Sequence, residues 1–185
     1  MDSINLMVEE HRNIKRMLKI IREYCYKILK DEDVQYEDFY KMIDFIRSYA
    51  DDHHHGKEEE LLFNRMVDEL GPAAQKLVTH GMLVEHDLGR LYTKQLEDAL
   101  TKVLDGDEEA KLDLIGNAMA YADLLHRHID KEDRVVYEFA RKNLEKDTLD
   151  KINYECTIFE NRAREENVQN NYLNLLDELE TNLSI

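Results

Sequence analysis

Residues 51–63 read DDHHHGKEEELLF. Three histidines stand beside three glutamates, and an apolar triplet closes the run. Helical periodicity continues on both sides, so the stretch reads as internal helix and not as a tag. A helix turns about 100° per residue, so these charged side chains cannot all face one way. Positions i and i+4 share a face, whereas i and i+2 point nearly oppositely. Phe39, Ile43, Ile46, Ala50 and Leu61 mark the apolar face, and His54 and Glu58 fall on it. His53 and His55 lie about 100° to either side of His54. Glu59 follows His55 round toward solvent. The expectation is one inward pair, His54 with Glu58, and a solvated flank formed by the rest.

The same test applies to HRHIDKED at 126–133. His128 and Glu132 side with Tyr121, Leu125, Val135, Val136 and Phe139. His126 and Asp130 side with Asp123 and Asp133, the wet face. In the first helix His11 lies on the stripe of Met7, Ile14, Leu18, Cys25 and Leu29. In the third, His86 lies near Met82 and Leu100, while His80 sits about 120° away and receives no role. Six inward polar residues therefore remain: His11, His54, Glu58, His86, His128 and Glu132. Ionisable side chains on core faces are costly unless paired or bound to metal.

The wider chain supports helices at these places. Its 185 residues suit one compact domain, and one proline with six glycines leaves little punctuation for many strands. Helical patterning predicts helices near 2–30, 36–70, 72–104, 107–143 and 148–182, with Gly71-Pro72 as the clearest break. The predicted fold is an all-α, up-down-up-down four-helix bundle over 1–145. An additional C-terminal helix over 146–185 packs on the bundle or at a dimer interface. The net charge of −16 disfavours nucleic acid and anionic lipid. The two cysteines form no CxxC motif, and no stretch approaches the ~18 apolar residues of a membrane span. The expected location is the cytoplasm.

Imidazole and carboxylate together suit iron, manganese or zinc. Six ligands with two glutamates point to two metal ions, because a carboxylate can bridge two cations. No ExxH motif of the ferritin-like bundles occurs; the pattern is HxxxE, twice.

That pattern resembles the hemerythrin family, in particular its bacterial HHE cation-binding domains. The matching pieces are EEHRNIKRML, HHGKEEELLF, LVEHDLGRL and HIDKEDRVVYEFA, in order over roughly 5–142. The resemblance implies a non-haem di-iron centre held by His11, His54, Glu58, His86, His128 and Glu132. Glu58 and Glu132, with an oxo or hydroxo group, would bridge two iron ions. It implies a small diatomic or peroxide ligand (oxygen, peroxide or nitric oxide) and a role in sensing, storage or detoxification, with an electron donor the sequence does not name. The oxygen carriers have HxxxH in the third helix, where Arg90 stands four residues after His86. One histidine is thus missing, and four histidines with two glutamates look more like the iron–sulfur-cluster repair branch. The alternative reading is accordingly a metal-dependent regulatory or repair protein acting through a protein partner.

Overall fold

The computed structural model describes residues 2–183. Among them the chain is helical throughout, without a strand. Helix α1 is Ser3–Leu29; Asp2 caps it, accepting a hydrogen bond from the Asn5 amide at 3.0 Å. Helix α2 runs over 38–70 and ends where Gly71 adopts φ 68°, ψ −152°, which a residue with a Cβ would resist. Helix α3 covers 72–104, α4 covers 110–143, α5 is Lys146–Glu165 and α6 is Val168–Leu183.

The C-terminal segment differs from expectation. It is two helices and not one, because Asn167 takes a left-handed φ of 57° and turns the chain between α5 and α6. Asparagine tolerates that conformation better than most residues, and its stretch, EENVQNN, carries no glycine or proline to announce a stop. The resulting hairpin lies against α1 and α2. Leu176, Leu179 and Leu183 join an apolar cluster there, and Arg16 donates to both Asp177 and Glu180.

Two apolar clusters fill the interior. One holds Ile14, Met17, Leu18 and Ile21 of α1, Phe39 to Ala50 of α2, Leu96 and Leu100 of α3, and Leu114 to Ile129 of α4. The other holds Ile4 and Met7, Leu62 to Met66, Val78 and Met82, and Val136 to Leu144, with Ile152 of α5. On each of α1 to α4 the chain crosses from one cluster to the other, and the crossing is occupied by histidine or glutamate. The polar layer is therefore sandwiched between two hydrophobic halves.

Helices α2 and α4 are not regular where they carry that layer, and α3 is irregular just before it. π-helical turns occupy Ile46–His55, Glu58–Phe63, Val78–Met82 and Glu132–Val136. A π turn closes i→i+5 hydrogen bonds, so successive side chains rotate through fewer degrees, and such turns concentrate at functional sites. Val135 shows the consequence: expected inward, it is exposed, while Val136 and Tyr137 are buried.

Candidate metal centre

The structure brings all six expected residues into the polar layer, each essentially inaccessible to solvent. They form two groups that share Glu58. His11, His54, Glu58 and Glu132 offer ligand atoms within 4.8 Å of one another, and so do His55, Glu58, His86 and His128. His80 and His126 lie at the surface.

The flank of the opening stretch is corrected. His53, His55 and Lys57 are buried, not solvated. Two causes act together. The π turns narrow the arc swept by consecutive side chains, and neighbours cover α2 on three sides. His53 meets α1 and the hairpin through Glu10, Glu160 and Phe159. His54 meets His11, and His55 stacks on His86 of α3, with ring centroids 3.8 Å apart and planes within 10°. The histidine missing at position 90 is thus matched by one at position 55, on a different helix. Tyr137 is a further residue the wheel did not single out. Its hydroxyl donates to Glu58 Oε1 at 2.5 Å, and its ring stacks on His11.

The nitrogens are arranged with one side in and one side out. His11 Nε2 and His54 Nε2 approach to 2.9 Å, and His86 Nε2 and His128 Nε2 to 3.0 Å. Every outward Nδ1 faces a carboxylate: His11 with Asp133 (2.7 Å), His54 with Glu10 (2.9 Å), His55 with Asp51 (3.2 Å), His86 with Glu59 (2.7 Å) and His128 with Glu85 (2.9 Å). A neutral imidazole that donates from Nδ1 presents a lone pair at Nε2. Two such lone pairs at 3 Å repel unless a proton or a cation lies between them. Two nitrogens each about 2.1 Å from one ion, at roughly a right angle, are about 3 Å apart. Carboxylate-backed histidines of this kind are what metal sites use to fix tautomer and ring orientation.

Each backing carboxylate meets a cation. Lys15 reaches Asp133, Lys131 reaches Glu85, and Lys57 reaches Glu10. Arg90 serves two, gripping Asp51 at 2.8–3.0 Å and Glu59 at 2.7 Å. A cavity of about 110 Å³ lies beneath Arg90, lined in part by Asp51, His55, His86, Gly89 and Tyr121.

Four buried side-chain polar atoms among the described residues lack a well-formed hydrogen bond: His55 Nε2, Glu58 Oε2 and both oxygens of Glu132, the last two standing 3.0 and 3.3 Å from His128 Nε2 and His11 Nε2. All four belong to this layer. Buried polar groups are ordinarily paired, so each such atom asks for an explanation, and a shared cation supplies one. The titration of the metal-free layer is uneven. Burial and the facing Glu132 push Glu58 well above the carboxylate range. Against the cost of its own burial, His128 and His11 hold Glu132 well below it. Burial, and then His11, push His54 down to about 4. Burial opposes the charge on His128, but Glu132 and Glu85 raise it to about 9. The layer thus carries protons that an arriving cation displaces.

Fold and site define an all-helical protein whose buried histidine and glutamate clusters could hold metal. The chain belongs to the hemerythrin family: residues 2–140 match its HHE cation binding domain. It is 26% identical over 135 residues to uncharacterized proteins of Mycobacterium bovis and of two Mycobacterium tuberculosis strains. The match covers 73% of this chain and 52% of theirs, so the chain spans about half the length of these relatives. No solved structure matches it. Among the described residues, no helix is long and apolar enough to cross a membrane.

Proposed function

We propose that the polar layer holds two iron ions and that the protein binds or reduces a small oxidant: oxygen, peroxide or nitric oxide. The observation that carries this reading is the set of buried atoms without a well-formed hydrogen bond, all in one layer of a cation-binding family fold. In this reading His11 and His54 would hold one ion and His55, His86 and His128 the other, with Glu58 and Glu132 as the carboxylates available to them. Five histidines and two glutamates then replace the four and two expected from the sequence. Iron with open positions supplies binding and redox chemistry toward such oxidants.

The chain's own residues prepare the site for that chemistry. The carboxylates behind the rings keep each Nε2 lone pair aimed inward. Tyr137 holds Glu58 Oε1 in place by a hydrogen bond from its hydroxyl, which burial and the nearby Glu58 keep protonated. The apolar clusters on either side keep bulk water out, and the cavity under Arg90 is the approach for a small molecule. The up-down-up-down course of α1 to α4 belongs to the same reading. It is supported by the order in which successive helices pass between the two apolar clusters. Two buried, unpaired cysteines, Cys25 and Cys156, are compatible with a reducing compartment such as the cytoplasm.

Anaerobic loading with ferrous iron, followed by rapid mixing with oxygen, peroxide or nitric oxide, tests the proposal. Absorption changes in the near-ultraviolet with at least one of the three are expected. An iron-loaded protein inert to all three would refute it. A second reading, a metal-dependent regulator acting through a partner, is favoured by one observation. The C-terminal hairpin places Glu160 against the helix that carries His54, His55 and Glu58.

A further inference from the structure

Three of the four cations behind the histidines stand at the surface: Lys15, Arg90 and Lys131 are 36%, 41% and 45% exposed. The fourth, Lys57, is fully buried. Its ammonium lies between two carboxylates, Glu10 of α1 and Glu160 of α5, the latter at 2.5 Å. His53 Nε2 lies 3.1 Å from both Glu10 Oε1 and Lys57 Nζ, and 3.3 Å from Glu160 Oε1. Glu160 Oε2 accepts from Gln169 of α6 at 2.7 Å. The other oxygen of Glu10 faces His54 Nδ1. Glu160 and Gln169 both lie outside the 2–140 family match.

A buried ammonium needs a full complement of partners, and removing one leaves the remaining charge to redistribute. Here Lys57 is divided between Glu10 and Glu160. With Glu160 present, Glu10 keeps enough negative charge to hold the His54 Nδ1–H firmly, which makes Nε2 a stronger donor. Without Glu160, Lys57 is neutralised by Glu10 alone, and the pull on His54 weakens. Among the described residues, this is the one branch behind a histidine that is buried along its length and completed by the hairpin.

We propose that Glu160 is a positioning residue for the metal centre, acting through Lys57 and Glu10 to set the donor strength of His54. The C-terminal hairpin is thereby a working part of the site and not a covering for it. This inference rests on the metal-binding reading given above.

Cobalt(II) titration of the full chain tests it, because cobalt's visible bands report the ligand field of each ion. Glu160→Gln keeps the size of the side chain and removes its charge. The expected result is an affinity about tenfold weaker at the position held by His11 and His54, the low end for residues behind a ligand. The bands of that ion shift, while those of the ion held by His55, His86 and His128 stay unchanged. Glu155→Gln is the control: Glu155 pairs with Arg65 across the same hairpin contact without touching the branch. It leaves both sets of bands in place. Should Glu160→Gln fail to fold, Glu160→Asp keeps Lys57 and Glu10 compensated but draws the carboxylate back from the ammonium. It is expected to shift the same bands. Unchanged bands and affinity in the Glu160 variant that folds would overturn the inference, as would an equal effect from Glu155→Gln. A wild-type chain that takes up no cobalt would instead overturn the metal-binding reading, and this inference with it.

Discussion

Replacing His55 by leucine separates the stability of the fold from the binding of metal. In the metal-free protein His55 Nε2 is buried without a partner. An atom in that position costs about 1–3 kcal/mol, and leucine removes it. The substitution also loses the hydrogen bond to Asp51 at 3.2 Å, worth about 0.5–1.5 kcal/mol. Asp51 is not stranded by the change, since Arg90 holds both its oxygens. The ring stack on His86 at 3.8 Å is lost as well, at about 0.5–1.5 kcal/mol, part of which the leucine packing recovers. These contributions nearly cancel, so the metal-free variant is expected within about 1 kcal/mol of wild type. Metal binding responds very differently. Even residues behind a ligand change affinity by 10–100-fold, so loss of His55 itself costs at least about 100-fold, or ~2.8 kcal/mol. Urea unfolding without metal gives the first quantity, and anaerobic equilibrium dialysis with ferrous iron gives the second. A variant that binds two ions with wild-type affinity would remove His55 from the site. A metal-free variant destabilised by more than about 3 kcal/mol would refute the energetics of the partnerless atom.

Three further outcomes follow from the same geometry. Tyr137→Phe deletes the buried hydrogen bond to Glu58; the metal-free fold is expected to lose about 1–2 kcal/mol in urea unfolding, with little change in its compactness. The metal-free protein is expected to lose stability in both directions from near-neutral pH, as urea midpoints from pH 4 to 9.5 would record. Below about 6.5 the unfolded chain protonates His54, which the fold resists down to about 4, so stability falls as pH drops through that window. The stability contributed by His128 is complete below about 6.5 and is lost as pH rises through about 9. Gly89→Ala would place a methyl 3.6 Å from Leu125 and Tyr121, an ordinary contact, and leave the fold intact. Gly89→Leu is expected to fill the cavity and slow oxidant mixing by at least about tenfold in stopped flow, with the same metal content.

The inward direction of His11, His54, Glu58, His86, His128 and Glu132 was legible because each lies between apolar residues at helical spacing. The break at Gly71-Pro72 was legible for a similar reason, since both residues have strong backbone preferences. What escaped has one main cause. A wheel of 100° per residue assumes regular α-helix, and α2 and α4 widen into π turns where they carry the site. His55 then joins His54 in the interior, and Tyr137, five residues after Glu132, comes round to Glu58. Asp51, four residues before His55, was the available sign that it was backed by a carboxylate. Glu160 could not be placed from sequence, because its partner Lys57 lies 103 positions away and no periodicity links them.

The central claim is that one chain holds two ions in the shared layer. Anaerobic reconstitution with ferrous iron, with iron counted per chain and examined by Mössbauer spectroscopy, tests it most directly. About two irons per chain, magnetically coupled after oxidation, are expected. A single iron, or a folded chain that retains none, would contradict it.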